Sequence, residues 1–146
     1  MINFLLCDCS GCSVPLGMES GKIKDNQISA KTSDSGWEPY EGRLNNDRAW
    51  CSEDKEKGQE YFQVDLNRVR HVSEIGIQGV VHLFLKYFVK TYKVKYSFDG
   101  RTWYWFKGWD SSADGYTVKV SEIKTLPFLS LGNCEPRLKV IPLPVW

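Results

Sequence analysis

Residues 90–105 read Lys-Thr-Tyr-Lys-Val-Lys-Tyr-Ser-Phe-Asp-Gly-Arg-Thr-Trp-Tyr-Trp. Tyr92, Val94, Tyr96 and Phe98 alternate with Thr91, Lys93, Lys95 and Ser97. A period of two puts apolar side chains on one face of an extended strand and polar ones on the other. Asp99-Gly100 follows, a pair that accepts the positive φ angles of a tight reversal. The chain then returns through Trp103 and Trp105, again two apart. The pattern predicts an antiparallel hairpin.

The same period recurs on both sides of it. In residues 61–66, Phe62, Val64 and Leu66 share one face and Gln63 and Asp65 the other; in residues 71–78, Ile75 and Ile77 share a face and Gly79 ends the run. Further strands are predicted over residues 116–120 and 137–141, and a turn with a short strand over residues 22–30. Apolar residues nowhere hold a helical spacing for three turns. Short strands separated by turn residues indicate an all-β, antiparallel sandwich or barrel.

At 146 residues, 42% of them hydrophobic and 14% aromatic, the chain suits one domain with one well-filled core. Lys and Arg number 19 against 18 Asp and Glu, interspersed, so no strong field points toward nucleic acid. The mixed run Glu53-Asp54-Lys55-Glu56-Lys57 reads as a solvated loop. The apolar opening, residues 1–6, stops at Cys7-Asp8, too short for the core of an export signal, and no run approaches the roughly 18 apolar residues of a membrane span. A secretion signal would have to lie upstream of the chain.

A catalytic reading finds no support. Gly-x-Ser-x-Gly, His-Glu-x-x-His and phosphate-binding glycine patterns are all missing from the sequence, and His71 and His82 are isolated from other catalytic motifs. Tyr61, Trp103 and Trp105 sit at strand positions, where core packing is the first expectation. The five cysteines, at 7, 9, 12, 51 and 134, are odd in number and lack the second ligand cluster of a structural zinc site. No metal is expected from them, and their number suits an extracellular setting.

Function is therefore assigned to loops on a rigid frame. Three are candidates. Residues 31–37 contain Ser33, Asp34, Ser35 and Trp37. Residues 80–86 carry His82, Leu83, Phe84 and Leu85 beside Lys86, the chemistry of an anchor that enters lipid headgroups or a protein groove. The alternative is that these apolar residues fold back onto the sandwich. Residues 108–115 contain Trp109 and Asp110.

The chain resembles the discoidin, or coagulation factor five/eight type C, domain family. The likeness opens at Cys12-Ser13-Val14-Pro15-Leu16-Gly17-Met18-Glu19-Ser20-Gly21-Lys22-Ile23. It continues through Asp25-Asn26-Gln27-Ile28-Ser29-Ala30, Trp37-Glu38-Pro39, Gly42-Arg43-Leu44-Asn45 and Ala49-Trp50-Cys51. Phe62-Gln63-Val64-Asp65-Leu66, Gln78-Gly79 and the stretch 92–103 complete it. It covers residues 12–125 strongly, after a short extension over residues 1–11. Residues 49–51 and 92–105 are also similar to the discoidin domains of collagen-binding receptor kinases, although Ser33-Asp34-Ser35 stands where those receptors carry an aromatic residue.

The resemblance implies a jelly-roll-like, galactose-binding-type sandwich with no enzymatic activity, whose opening cysteine is tied to one at the domain's end. It implies adhesion or recognition at cell surfaces, in matrix or in plasma, with an extracellular protein, collagen or a glycan as partner and a phospholipid surface as the less favoured one, because the loop at residues 31–37 lacks the apical aromatic residues of the family's membrane-binding members. Residues 126–135 depart from the family pattern. The family's closing strand and terminal cysteine do not follow Trp146, so the domain is expected to be truncated. Cys134 would then be the substitute partner for Cys12 or Cys51. Two alternatives stand beside the adhesion reading: a lectin-like sugar binder, with calcium as its candidate cofactor, and an inactive fragment of a larger adhesion protein.

Overall fold

The computed structural model describes residues 3–8, 14–53, 60–107, 117–119 and 134–142. Ten strands appear among them: β1 (Asn3–Asp8), β2 (Val14–Pro15), β3 (Ile28–Ala30), β4 (Phe62–Gln78), β5 (Val80–His82), β6 (Leu85–Tyr87), β7 (Thr91–Ser97), β8 (Tyr104–Trp105), β9 (Thr117–Lys119) and β10 (Cys134–Pro142). The only helical elements among the described residues are two short 3-10 turns, Asp25–Gln27 and Pro39–Glu41. All pairings are antiparallel, in the order β2-β1-β4-β10-β7-β8, with β3 also on β4 and β9 on β7; β5 and β6 form a separate two-stranded ribbon. The expected all-β antiparallel class is the observed one.

The strand that organises the molecule is β4. The sequence predicts two strands, residues 61–66 and 71–78, and the structure joins them into one 17-residue element. The break survives as a bulge. Arg137 of β10 pairs with Asp65 and Glu135 with Arg70, so residues 66–69 lie opposite Pro136 alone. Asn67 there adopts φ 60, a left-handed conformation Asn tolerates, and its N–H is held by the Asp65 carboxylate at 2.8 Å. Before the bulge β4 pairs with β3 and β10; after it, with β10 at residues 70–71 and with β1 over residues 72–78. Phe62, Val64 and Leu66 from the first half and Val72, Ile75 and Ile77 from the second enter one core with Tyr92 and Val94 of β7. A single long strand thus serves both parts of the sheet while covering one interior.

Strand β1 was not foreseen. Its apolar run reads equally well as an unstructured leader, and only pairing with residues 72–78 of β4 makes it a strand. The hairpin after β7 is also looser than the Asp99-Gly100 pair predicts. Lys95 pairs with Trp105 and Tyr96 with Tyr104, leaving residues 97–103 as a loop built on the Asp99 side chain. The alternation holds for buried Tyr92 and Val94, then slips: Ser97 is buried and Phe98 exposed. Trp105 lies half-buried on the sheet face beneath the Lys95 and Lys93 ammonium groups, 4.1 and 5.5 Å from its ring, instead of in the core.

The segment before β3 is fastened by Arg43, whose guanidinium donates to the carbonyls of Met18 and Ile23, each at 2.8 Å, and pairs with Asp25. Gly17 begins that turn at φ 112, and a Cβ placed there would meet Lys22 Cβ at 2.4 Å, so no other residue fits. Trp50, 2% exposed, packs on Phe62 with ring centroids 5.5 Å apart, and its indole N–H donates to the Thr32 carbonyl at 2.9 Å. The core thereby reaches the base of the loop at residues 31–37.

Candidate recognition surface

That loop is held at both ends. Lys31 N–H donates to the Tyr61 carbonyl at 3.1 Å, and Cys51 N–H to the Trp37 carbonyl at the same distance. Within it, Trp37 N–H donates to the Asp34 carbonyl at 2.9 Å, and the Asp34 carboxylate accepts from Ser35 N–H. The Glu60 carboxylate, 4% exposed, supports the loop from below: one oxygen accepts from the Thr32 hydroxyl at 2.8 Å, and the other lies 3.8 Å from Lys31 Nζ. Arg48 braces the far side by donating to the Gly36 carbonyl at 2.8 Å. Ser33, Asp34 and Ser35 thus form an ordered polar turn, and the side chain this loop sends toward its neighbour is Trp37.

The neighbour is the β5–β6 ribbon. Trp37 meets the His82 ring edge-on, with centroids 5.0 Å apart. The first and second candidate loops are therefore one continuous surface, which their separation of about 45 positions conceals in the sequence. Beyond His82 the ribbon turns through Leu83 and Phe84 alone, since His82 pairs with Leu85. Both turn residues have positive φ, 49 and 65. This is the pattern of a type I′ turn, which strongly favours Asn-Gly and is sterically strained for Leu and Phe. The strain is local to a fully displayed tip, where Phe84 is 99% exposed and Leu83 74%. Leu85, Val81 and Tyr87 extend the apolar patch down the ribbon. The residues do not fold back onto the sandwich.

Arg48 and Tyr87 belong to this surface although the sequence reading did not single them out. Trp109 and Asp110, and with them the third loop, lie outside the described residues, as does Cys12. Cys134 opens β10 opposite His71. Cys51 is a half-buried free thiol whose sulfur lies 3.7 Å from the Ser52 carbonyl. Among the described residues no three His, Cys, Asp or Glu side chains gather closely enough to hold a metal ion. No helix among them is long and apolar enough to cross a membrane.

A family model for the F5/8 type C domain matches residues 27–127. The chain belongs to that family, the discoidin domains. Among its relatives, the venom prothrombin activator omicarin-C non-catalytic subunit of Oxyuranus microlepidotus is 41% identical over 109 residues, which are 70% of this chain and 7% of the relative. Coagulation factor V of Bos taurus is 37% identical over 105 residues, 66% of this chain and 5% of that protein. Neuropilin-2 of Homo sapiens is 40% identical over 96 residues, 63% of this chain and 10% of that protein. The chain thus spans a tenth or less of these relatives' length. It is a non-enzymatic discoidin β-sandwich, as the family resemblance implied.

Proposed function

We propose that this discoidin domain docks through the β5–β6 ribbon, inserting Leu83 and Phe84 into the apolar boundary of a phospholipid surface. The carrying observation is that a 99% exposed Phe84 occupies a strained turn at the tip of a ribbon that has no other sheet partner among the described residues. A backbone strained at a display site is the mark of a functional constraint. Lys86 and His82, both exposed on the same ribbon, stand back from the tip at the level of headgroups, as amphipathic anchors require. The described tip offers a sugar no converging set of polar and aromatic groups, so a lectin-like mode finds less support, and the polar turn Ser33-Asp34-Ser35 adds no second apical aromatic.

Co-sedimentation with phosphatidylcholine vesicles, with and without phosphatidylserine, tests the reading beside immobilised collagen and sulfated glycans. Binding to vesicles that Phe84→Asp abolishes is the expected result. Vesicle binding that survives this substitution, or binding only to immobilised collagen or glycan, overturns it.

A further inference from the structure

A second surface lies at the bulge of β4. A cleft of about 350 Å³ opens there between the bulge and the turn that precedes β3. Its floor is aliphatic: Leu16, Ile23 and Leu66. Its wall is basic, with Lys22 from the turn, Arg68 from the bulge and Arg70 from the paired strand just after it. Among the described residues no carboxylate lines it, in a chain whose net charge is only +1. The acidic groups nearest in sequence are already engaged, Asp25 by Arg43 and Asp65 by the Asn67 N–H. Arg70 has a partner of its own within the chain. Lys22 and Arg68 are exposed and form no ion pair among the described residues.

The cleft is built by the bulge, since an unbroken strand would carry residues 66–69 flat against β10. It is also remote from the ribbon. Residues 70–78 separate the two as extended strand, about 26 Å at roughly 3.3 Å per residue. Gln27, at the cleft, and Lys31, at the tryptophan loop, lie beyond opposite ends of β3.

We propose that this cleft binds an acidic, aliphatic-containing peptide segment of a partner protein. Carboxylates of the segment pair with Lys22 and Arg68 at the rim, and an aliphatic side chain rests on Leu16, Ile23 and Leu66. Charge complementarity selects the sign of the ligand, and the apolar floor selects a peptide over a bare anion. No aromatic ring among the described residues lines the cleft, so a sugar finds no face there to stack on. Its distance from the tip separates it from a membrane bound there.

The test is fluorescence anisotropy of the whole chain with a labelled peptide alternating Glu and Leu. A Lys-Leu peptide and a heparin-derived oligosaccharide serve as the other arms, each at low and moderate salt. The Glu-Leu peptide is expected to bind with salt-sensitive affinity, to weaken at least tenfold in Lys22→Glu/Arg68→Glu, and to be unaffected by Phe84→Asp. Both charge-reversed side chains are exposed, so the double variant should melt with the wild type; Arg68→Gln, weakening binding severalfold, carries the test otherwise. Failure of the Glu-Leu peptide to bind, binding that survives these substitutions, or tighter binding of the oligosaccharide overturns the proposal. Loss of vesicle binding in Phe84→Asp with peptide binding intact keeps the two sites distinct.

Discussion

The Trp37 ring lies edge-on to the imidazole of His82, 5.0 Å between centroids and 85° between planes. That contact ties a ribbon of two three-residue strands to the rest of the molecule, and a lone two-stranded ribbon is marginal in water. Trp37→Ala is expected to remove about 0.5–1.5 kcal/mol of aromatic pairing beyond the lost area. The loss should be local. Hydrogen exchange of residues 80–87 should accelerate while β4 and β7 stay protected, and vesicle binding should weaken. Unchanged exchange in the ribbon would show that the ring contact does not position the tip.

Leu83 and Phe84 occupy left-handed backbone that costs an L side chain about 1–2 kcal/mol per residue. Replacing them with the preferred turn pair, Leu83→Asn with Phe84→Gly, relieves that strain and removes the apolar tip. Thermal stability should rise, by up to a few kcal/mol with the usual incomplete additivity, while vesicle binding disappears. Stability and binding are thus predicted to move in opposite directions, measured by a thermal melt and co-sedimentation on the same sample. A variant that both melts lower and binds fully contradicts the assignment of strain and function to this turn.

The parts of the fold legible in the sequence were those where one face repeats at period two. Phe62, Val64, Tyr92 and Val94 declared their burial in this way. What escaped was decided by distant partners. The opening strand has no amphipathic pattern of its own and is fixed by residues 72–78 of β4. The slip that buries Ser97 and exposes Phe98 arises where the Asp99 side chain takes over the backbone from the ladder. The apolar run at residues 80–86 was visible as a candidate anchor, but its orientation was not. Leu and Phe disfavour the very turn they occupy, so local propensity argues against the geometry that exposes them. The basic cleft was invisible for a related reason, because Lys22 and Arg68 meet only through the bulge.

Asp99 gives the hairpin a distinct acid response. Its carboxylate accepts from the Thr102 and Arg101 backbone N–H groups, both at 2.8 Å, and these bonds hold it well below the usual carboxylate range. A depressed folded-state value means that the charged form favours the native state. The contribution is therefore present above the ordinary carboxylate range, near pH 4, and fades only as pH falls through the lower native value. Asp99→Asn should lower the melting temperature at neutral pH, and its difference from wild type should shrink in strong acid. An NMR titration of the Asp99 carboxyl should find a midpoint well under that of a model peptide; an ordinary midpoint would remove this role.

Tyr92 presents the opposite case. It is fully buried in β7, burial pushes its ionisation above the normal phenol range, and its hydroxyl has no hydrogen-bond partner among the described residues. A buried hydroxyl without a partner forfeits its hydration, about 1–3 kcal/mol, while the ring supplies the packing. Tyr92→Phe keeps the ring and removes the penalty, so unfolding free energy should stay level or rise, whereas Tyr92→Ala, which empties the site, should lose about 3–5 kcal/mol by analogy with Phe→Ala. Denaturant unfolding of both variants separates the two contributions. A clear loss in Tyr92→Phe would mean that the hydroxyl is bonded in solution and that the hairpin strand closes on its neighbours through a polar contact instead of through packing alone.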